Sequence, residues 1–227
     1  MKVGFDGILL GCWAQLVRCR RVLDIGTGTG LIALIAAQRT EATDDRTSAQ
    51  IDAIEIDRLA SIEAQQNVDA SPWGNRVSVF HTSLQEYAAR SSASYDAIVC
   101  NPPYFAAAAE HKQANAEARV VARHDVRLSS LEVLVFAKSN LRPHGSLSII
   151  LPIDQCDQML AVAKTHGLFC QRITRVYPVL GKPAHRVLLE FRRFEEPVCE
   201  TALTIETSRH QYTQEFRELA KDFYLKF

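Results

Sequence analysis

The stretch VLDIGTGTGLIAL, which spans residues 22–34, decides how the chain folds. Its apolar beginning predicts a short buried strand that ends at Asp24, and the apolar run after Gly30 predicts a helix. Between them, Gly26, Gly28 and Gly30 allow a sharp turn and let a ligand approach the backbone where a Cβ atom would collide. We therefore expect a ligand site at the carboxyl end of this strand.

Strands and helices alternate along most of the chain. Further strands are predicted at residues 51–57, 76–82, 95–100, 145–152 and 203–206, and an antiparallel pair is predicted at residues 168–179 and 185–194. Helices are predicted at residues 6–17, 30–40, 58–70, 129–141 and 154–166, and from about residue 212 onward. The pattern predicts a single α/β domain over residues 1–227, with a mostly parallel central sheet, an antiparallel C-terminal hairpin and helices on both faces.

Composition narrows the class of protein. No apolar run approaches the roughly 20 residues of a membrane-spanning helix, and the first residues lack the charged head and cleavage site of a signal peptide. The six Cys residues show neither a CxxC pair nor zinc-finger spacing, and the seven His residues show no HExxH pattern. We therefore expect a cytoplasmic protein with reduced thiols, no metal and no membrane partner.

Charge is balanced overall but unevenly distributed. The chain has 26 basic and 26 acidic residues, whereas residues 111–193 contain 13 Lys and Arg against 6 Asp and Glu. A basic segment favours a polyanionic substrate such as a nucleic acid. The alternative is an ordinary solvated charged surface.

The glycine spacing excludes two kinds of phosphate-binding loop and favours a loop of another kind. A dinucleotide fingerprint requires a third glycine where the chain has Leu31, and a phosphate-binding Walker loop requires Lys followed by Ser or Thr. G-x-G-x-G preceded by Asp24 instead resembles the cofactor loop of class I S-adenosylmethionine-dependent methyltransferases. The resemblance implies a Rossmann-like methyltransferase fold that binds S-adenosyl-L-methionine.

The same resemblance assigns roles to residues at strand ends. Asp24, together with the three glycines of the turn, would surround the methionine and ribose parts of the cofactor. Glu55, at the end of the next strand, would accept hydrogen bonds from both ribose hydroxyls. Where many relatives have an acidic residue that contacts the adenine amino group, this chain has Ser83. Ser83 either contacts the adenine or caps the helix that follows it.

The segment DAIVCNPPYF, at residues 96–105, stops an apolar strand with an amide, two prolines and an aromatic ring. Such an arrangement can activate the exocyclic amine of a base, which is a weak nucleophile because its lone pair is delocalised into the ring. The side-chain oxygen of Asn101 and the carbonyl of Pro102 can accept its two N–H protons and return electron density to the nitrogen. Pro102 and Pro103 fix φ, so the carbonyl is aimed in advance.

Aromatic residues follow directly. Tyr104 can stack on the target base, and Pro103 and Phe105 are assigned to the substrate side of the site. Asn-Pro-Pro-Tyr resembles the catalytic motif of amino-methyltransferases that act on adenine, on guanine or on the amide of glutamine. Its alternative interpretation is a turn that ends a strand.

Three segments at residues 1–14, 183–191 and 212–227 resemble the bacterial tRNA adenine N6-methyltransferases that modify tRNA(Val) beside the anticodon. The resemblance covers essentially the whole chain and implies a tRNA substrate. Phe5 stands where relatives have Thr, and relatives carry residues upstream, so we expect an N-terminus shorter than theirs. Asp6 in the first segment either lines the pocket near the methionine part of the cofactor or caps a helix.

Basic residues outside the motif are candidates for tRNA contact. Residues 106–127 are the candidate clamp on the RNA, and Lys182, His185 and Arg186 lie in the predicted hairpin, where solvated cations are the alternative interpretation. The assigned clamp residues are Lys112, Arg119 and Arg123.

Three other functions stay open at this point. Guanine N2-methylation of ribosomal RNA uses the same tetrapeptide, and so does glutamine N5-methylation of a release factor, although those enzymes carry an extra helical N-terminal domain. A non-catalytic RNA-binding protein on the same fold is the alternative from another class.

If residues 106–127 clamp the RNA, Arg119→Ala combined with Arg123→Ala will lessen the salt dependence of tRNA affinity, because fewer counterions are released from phosphates on binding. Filter binding over a range of salt concentrations measures this slope. An unchanged slope would contradict the assignment of these two arginines.

Overall fold

The computed structural model describes residues 4–41, 48–102 and 128–223. In these ranges the strands are β1 (Arg21–Ile25), β2 (Gln50–Glu55), β3 (Val77–His81), β4 (Tyr95–Cys100), β5 (Leu141–Pro152), β6 (Phe169–Val179), β7 (Arg186–Arg192), β8 (Cys199–Ser208) and β9 (Gln211–Tyr212). The α-helices are α1 (Phe5–Trp13), α2 (Leu31–Arg39), α3 (Arg58–Asp69), α4 (Leu84–Arg90), α5 (Ser130–Asn140), α6 (Cys156–Thr165) and α7 (Gln214–Ala220).

The described strands form one sheet in the order β3-β2-β1-β4-β5-β7-β6-β8-β9. Strands β1 to β5 pair with one another in parallel, and β7 runs antiparallel between β5 and β6. The order reverses between β1 and β4, because the chain first builds outward through β2 and β3 and then returns to the other side of β1. The predicted fold class is confirmed, including the antiparallel β6–β7 pair.

The central strands are buried on both faces, as the apolar runs predicted. One apolar cluster packs α1, α2 and α7 on one face of the sheet, with Leu9, Ile51 and Phe216 among its members. A second cluster packs α4, α5 and α6 on the other face and includes Tyr95 and Phe136. Each helix therefore covers a face of the sheet, and the edge at the carboxyl ends of the parallel strands remains for a ligand.

Side-chain caps explain where several helices begin. Asp57 accepts a hydrogen bond from the backbone N–H of Ala60 at 2.8 Å, directly before α3. Ser129 forms a reciprocal capping box with Glu132 at the start of α5. Such caps satisfy backbone N–H groups that have no partner within the helix, so they set the first residue of the helix.

The C-terminal part differs from the prediction. The strand predicted at residues 203–206 is the centre of the longer β8, and a helix predicted from about residue 212 begins only at Gln214. Residues Gln211–Tyr212 instead form β9, which pairs with β8 around a turn in which His210 has a φ of 63°. Thr213 then caps α7 by accepting from the N–H of Phe216. A two-residue strand carries too little periodicity to be predicted.

The helix predicted at residues 6–17 ends earlier, at Trp13. No helix within the described ranges has both the length and the hydropathy that crossing a membrane requires.

Strand β5 lies close to β4 at Gly145, where an added Cβ would lie 2.8 Å from the carbonyl oxygen of Tyr95. We expect Gly145→Ser to lower the free energy of unfolding by about 1–3 kcal/mol, because backbone atoms cannot yield to the new side chain. Gly4→Ser is the matched control, since a Cβ at Gly4 meets no atom of the described residues within 4 Å and serine is favoured at that cap position. Equal stability of the two variants in urea unfolding would contradict this packing.

Candidate active site

Three of the predicted site segments lie at the switch point of the sheet, where ligands bind in open α/β folds. Ile25, the last residue of β1, is aligned with Ile54 of β2 on one side and with Cys100 of β4 on the other. The residues that follow these positions are the glycine turn, Glu55 and Asn101. The sheet register thus brings together three segments that are distant in sequence.

The glycine turn requires glycine for its backbone conformation. Gly26, Gly28 and Gly30 have φ values of 70°, 58° and 85°, which L-residues with a side chain rarely adopt. The N–H of Gly26 donates to the carbonyl of Ile54 at 2.9 Å, which ties the turn to β2. A Cβ placed on Gly26 would meet no atom of residues 4–41, 48–102 or 128–223 within 4 Å, so a ligand can approach the backbone on this side of the turn without contacting those residues.

Glu55 links the end of β2 to the glycine turn. One carboxylate oxygen accepts the N–H of Gly28 at 2.8 Å, and the other accepts the N–H of Asp57 at 2.8 Å. These two bonds fix the plane of the carboxylate. Each oxygen retains a second lone pair, so the group can still accept hydrogen bonds from a diol.

Asp24 is a buried carboxylate in the floor of the site. Its side chain is 0% exposed, and Oδ2 accepts the hydroxyl hydrogen of Thr27 at 2.6 Å. Oδ1 is also buried, and it has no hydrogen-bond partner in the described part of the chain. Burial raises the pKa of Asp24 from 3.8 to about 7, and the hydrogen bond from Thr27 opposes this shift. A cation that reaches this carboxylate would favour its ionised form.

Asn101 and Pro102 follow β4 directly. Cys100, the last residue of the strand, is buried, whereas Asn101 is partly exposed at the edge of the sheet and Pro102 is buried. The other predicted substrate residues of this motif and of the clamp lie outside the described residues. They are Pro103, Tyr104, Phe105, Lys112, Arg119 and Arg123.

Asp6 and Arg186, which were assigned to the cofactor and to the RNA, contact each other. Nε of Arg186 donates to Oδ2 of Asp6 at 3.0 Å. The cap position of α1 is Gly4, and Asp6 lies within the first turn of the helix. The interpretation of Asp6 as a helix cap was therefore wrong, although a carboxylate in the first turn does favour the helix dipole.

Ser83 caps α4, which confirms the interpretation of this residue as a helix cap. Its hydroxyl oxygen accepts the N–H of Glu86 at 3.2 Å, and the Glu86 carboxylate accepts the N–H of Ser83 at 3.2 Å.

Lys182 is exposed in the connection between β6 and β7, and His185 in the same connection is partly buried. Both precede β7, whose first residue is aligned with Pro152 at the carboxyl end of β5, so they lie at the same edge of the sheet as Asn101.

Two supporting residues were missed by the sequence analysis. Thr27, which donates to Asp24, lies inside the glycine segment. A hydroxyl residue three positions after Asp24 was the sequence feature that could have predicted this hydrogen bond. Asn67 of α3 donates from Nδ2 to the carbonyl of Thr29 at 2.9 Å, and no local pattern indicates this contact. Among the described residues, no group of three or more His, Cys, Asp or Glu is arranged to hold a metal ion.

The sheet order, the glycine turn and the carboxylates at the ends of β1 and β2 define a class I S-adenosylmethionine-dependent methyltransferase. The family model for the methyltransferase small domain matches residues 7–155. Among solved structures, a predicted O-methyltransferase, Atu636 from Agrobacterium tumefaciens, has 19% identity and a TM-score of 0.70, with 96% of each chain covered. This likeness shows the fold.

Curated relatives match the whole chain. The tRNA1(Val) (adenine(37)-N6)-methyltransferase of Parabacteroides distasonis is 42% identical over 229 residues, which cover 100% of this chain and 92% of that protein. The protein with the same name from Trichodesmium erythraeum is 43% identical over 227 residues, again with 100% and 92% covered. The chain belongs to the methyltransferase small domain family and, within it, to the family of these tRNA1(Val) (adenine(37)-N6)-methyltransferases.

The residues of the site fit S-adenosylmethionine, which is the cofactor of this class. The buried Oδ1 of Asp24 has no hydrogen-bond partner among the described residues, and a positively charged group of the cofactor would supply one. The same residues leave space for a ligand beside the backbone of Gly26.

The raised pKa of Asp24 predicts that cofactor affinity depends on pH. S-adenosylmethionine is cationic at its sulfonium and ammonium groups, so its affinity should rise as Asp24 ionises between about pH 6 and pH 8, around a pKa of about 7. Asp24→Asn should bind more weakly at pH 8 and should lose this pH dependence. Calorimetric titration at several pH values measures both. Asp57→Asn is the control, and an identical pH profile in Asp24→Asn would contradict the assignment.

The same group predicts a change in stability with the opposite sign. The pKa of Asp24 is raised from 3.8 to about 7 in the folded chain, so ionisation of this group opposes folding. The free energy of unfolding should therefore fall as the pH rises from 3.8 to about 7. Cofactor-free Asp24→Asn should therefore be more stable than the parent chain at pH 8. Urea unfolding without cofactor checks this, and a less stable variant would indicate that the charge is compensated in the folded protein.

Proposed function

We propose that the chain transfers the methyl group of S-adenosylmethionine to the exocyclic N6 of an adenine in tRNA, namely adenine 37 of tRNA(Val), the nucleotide in the name of its curated relatives. The observation that carries the proposal is the position of Asn101, which begins Asn-Pro-Pro-Tyr and lies at the carboxyl end of β4, next to the strand that carries the glycine turn. The 42% identity over the whole chain supports the same substrate. A tRNA substrate also implies a cytoplasmic location.

The cofactor would be held by groups that are already oriented. Glu55 would accept the ribose hydroxyls, since its two bonds to backbone N–H groups fix the carboxylate plane. Asp24 and the glycine turn would surround the methionine and ribose parts, and Asp6 would lie near the methionine part. Ser83 would contact the adenine through the lone pair that its capping bond leaves free.

The chemistry at the amine requires two acceptors and no strong base. The cofactor supplies the methyl group as a substituent of its sulfonium. The Asn101 side-chain oxygen and the Pro102 carbonyl would accept the two N–H protons of the target amine, which returns electron density to the nitrogen as the new C–N bond forms. The amine then loses one proton to water. Most of the rate gain would come from proximity and alignment.

The target base must leave its stack to reach this edge of the sheet. In the proposal, Tyr104 stacks on the exposed base, with Pro103 and Phe105 beside it. Lys182 and His185 would contact the flanking backbone, because they lie at the same edge of the sheet as Asn101. The basic residues Lys112, Arg119 and Arg123 would bind further phosphates.

Asn101→Ala should abolish methyl transfer and leave cofactor affinity nearly unchanged, because the side chain acts on the amine. Turnover with radiolabelled cofactor and calorimetry with S-adenosylhomocysteine measure the two properties separately. Asn140→Ala is the matched control, since the side chain of Asn140 donates to the carbonyl of Phe136 at the end of α5 and is not assigned to the site. Activity near that of the parent chain in Asn101→Ala would refute the mechanism.

Mass spectrometry of nucleosides tests the substrate. Total RNA from a strain that lacks the gene should gain N6-methyladenosine when incubated with the purified chain. N2-methylguanosine would favour the guanine alternative, and methylation confined to a release factor would favour the glutamine alternative. Cofactor binding without transfer to any substrate would indicate a non-catalytic module.

A further inference from the structure

Helix α1 lies directly against α2, with no room for larger side chains between them. A Cβ on Gly7 would lie 3.2 Å from a methyl carbon of Leu31, and one on Gly11 would lie 2.9 Å from a methyl carbon of Ile35. Leu31 is the first residue of α2 and directly follows the glycine turn. The first turn of α1, which contains Asp6, therefore lies beside the turn that faces the cofactor.

Arg186 approaches the site from the other side. It is the first residue of β7 and is aligned with Pro152, the last residue of β5, which is the strand next to β4. Its bond to Asp6 joins two segments that are 180 residues apart in sequence. The side chains are only 22% and 16% exposed, so both charges are largely withdrawn from water.

We propose that the ion pair between Asp6 and Arg186 is a positioning device for the cofactor. It holds the first turn of α1 against the glycine turn and so sets the width of the cleft at its methionine end. In this role neither residue acts on the RNA, and Arg186 affects methyl transfer through Asp6. The proposal rests on the assignment of the cofactor and not on the identity of the methylated base.

A role in stability alone explains the pair less well. A partly buried ion pair gains little net free energy, because the loss of hydration offsets the attraction between its charges. The packing of Gly7 and Gly11 sets how closely α1 approaches α2, whereas the ion pair ties the first turn of α1 to the start of β7. Arginine suits this role, since a planar guanidinium restrains orientation as well as distance.

The test is a double-mutant cycle on cofactor affinity without any RNA. Asp6→Asn and Arg186→Gln should each weaken S-adenosylhomocysteine binding by about tenfold, or about 1.4 kcal/mol. The double variant should bind no more weakly than the weaker single variant, because the pair acts as a unit. Arg186→Lys should recover part of the affinity. The midpoint of thermal unfolding is measured for every variant.

The control is the ion pair between Arg175 and Glu200, which joins β6 and β8 at 2.6 Å. Arg175→Gln and Glu200→Gln should leave cofactor affinity unchanged, and they should lower the unfolding midpoint less, because this pair is more exposed. Comparing affinity with the unfolding midpoint across all variants separates positioning from a general loss of stability.

Three outcomes would overturn the proposal. Cofactor affinity could be unchanged in both single variants. It could fall in Asp6→Asn alone, which would show that Asp6 acts on the cofactor without Arg186. It could also be unchanged in Arg186→Gln while tRNA affinity falls, which would show that Arg186 contacts RNA. A wrong methylation target would alter none of these measurements, so failure of the proposed function is distinguishable.

Discussion

The structure depends on one constraint, which is that three parallel strands end at the same level. Backbone hydrogen bonds align Ile25 of β1 with Ile54 of β2 and with Cys100 of β4. The residues that follow these three positions therefore lie close together at the same end of the sheet. The glycine turn, Glu55 and Asn101 are distant from one another in sequence. They become neighbours because the strand order reverses between β1 and β4.

The residues that we propose bind the cofactor oppose the stability of the fold. Burial raises the pKa of Asp24, so its ionised form costs folding free energy, and one of its oxygens has no partner in the described part of the chain. The glycines of the turn adopt a left-handed backbone conformation and contribute no side chain to the core. The buried strands and the close packing of α1 on α2 offset these costs, and the bound cofactor would offset them further.

Much of the fold could be predicted from the sequence, because apolar periodicity and glycine placement act locally. The bounds of β4, residues 95–100, were predicted as observed, and Glu55 ends β2 as expected. The ion pair between Asp6 and Arg186 could not be predicted, since it depends on how α1 and β7 are placed in three dimensions. The contact of Asn67 with the glycine turn likewise depends on the packing of α3, and the short β9 is set by a turn and by its pairing with β8.

The most direct test of the account is a crystal structure with S-adenosylhomocysteine bound. The account predicts that the ribose hydroxyls lie on Glu55, that the methionine part lies beside the glycine turn, and that the sulfur atom faces the side chain of Asn101. A ligand seated elsewhere, or an Asn101 amide that points away from the sulfur, would contradict the claim that the switch point of the sheet joins the methyl donor to its acceptor.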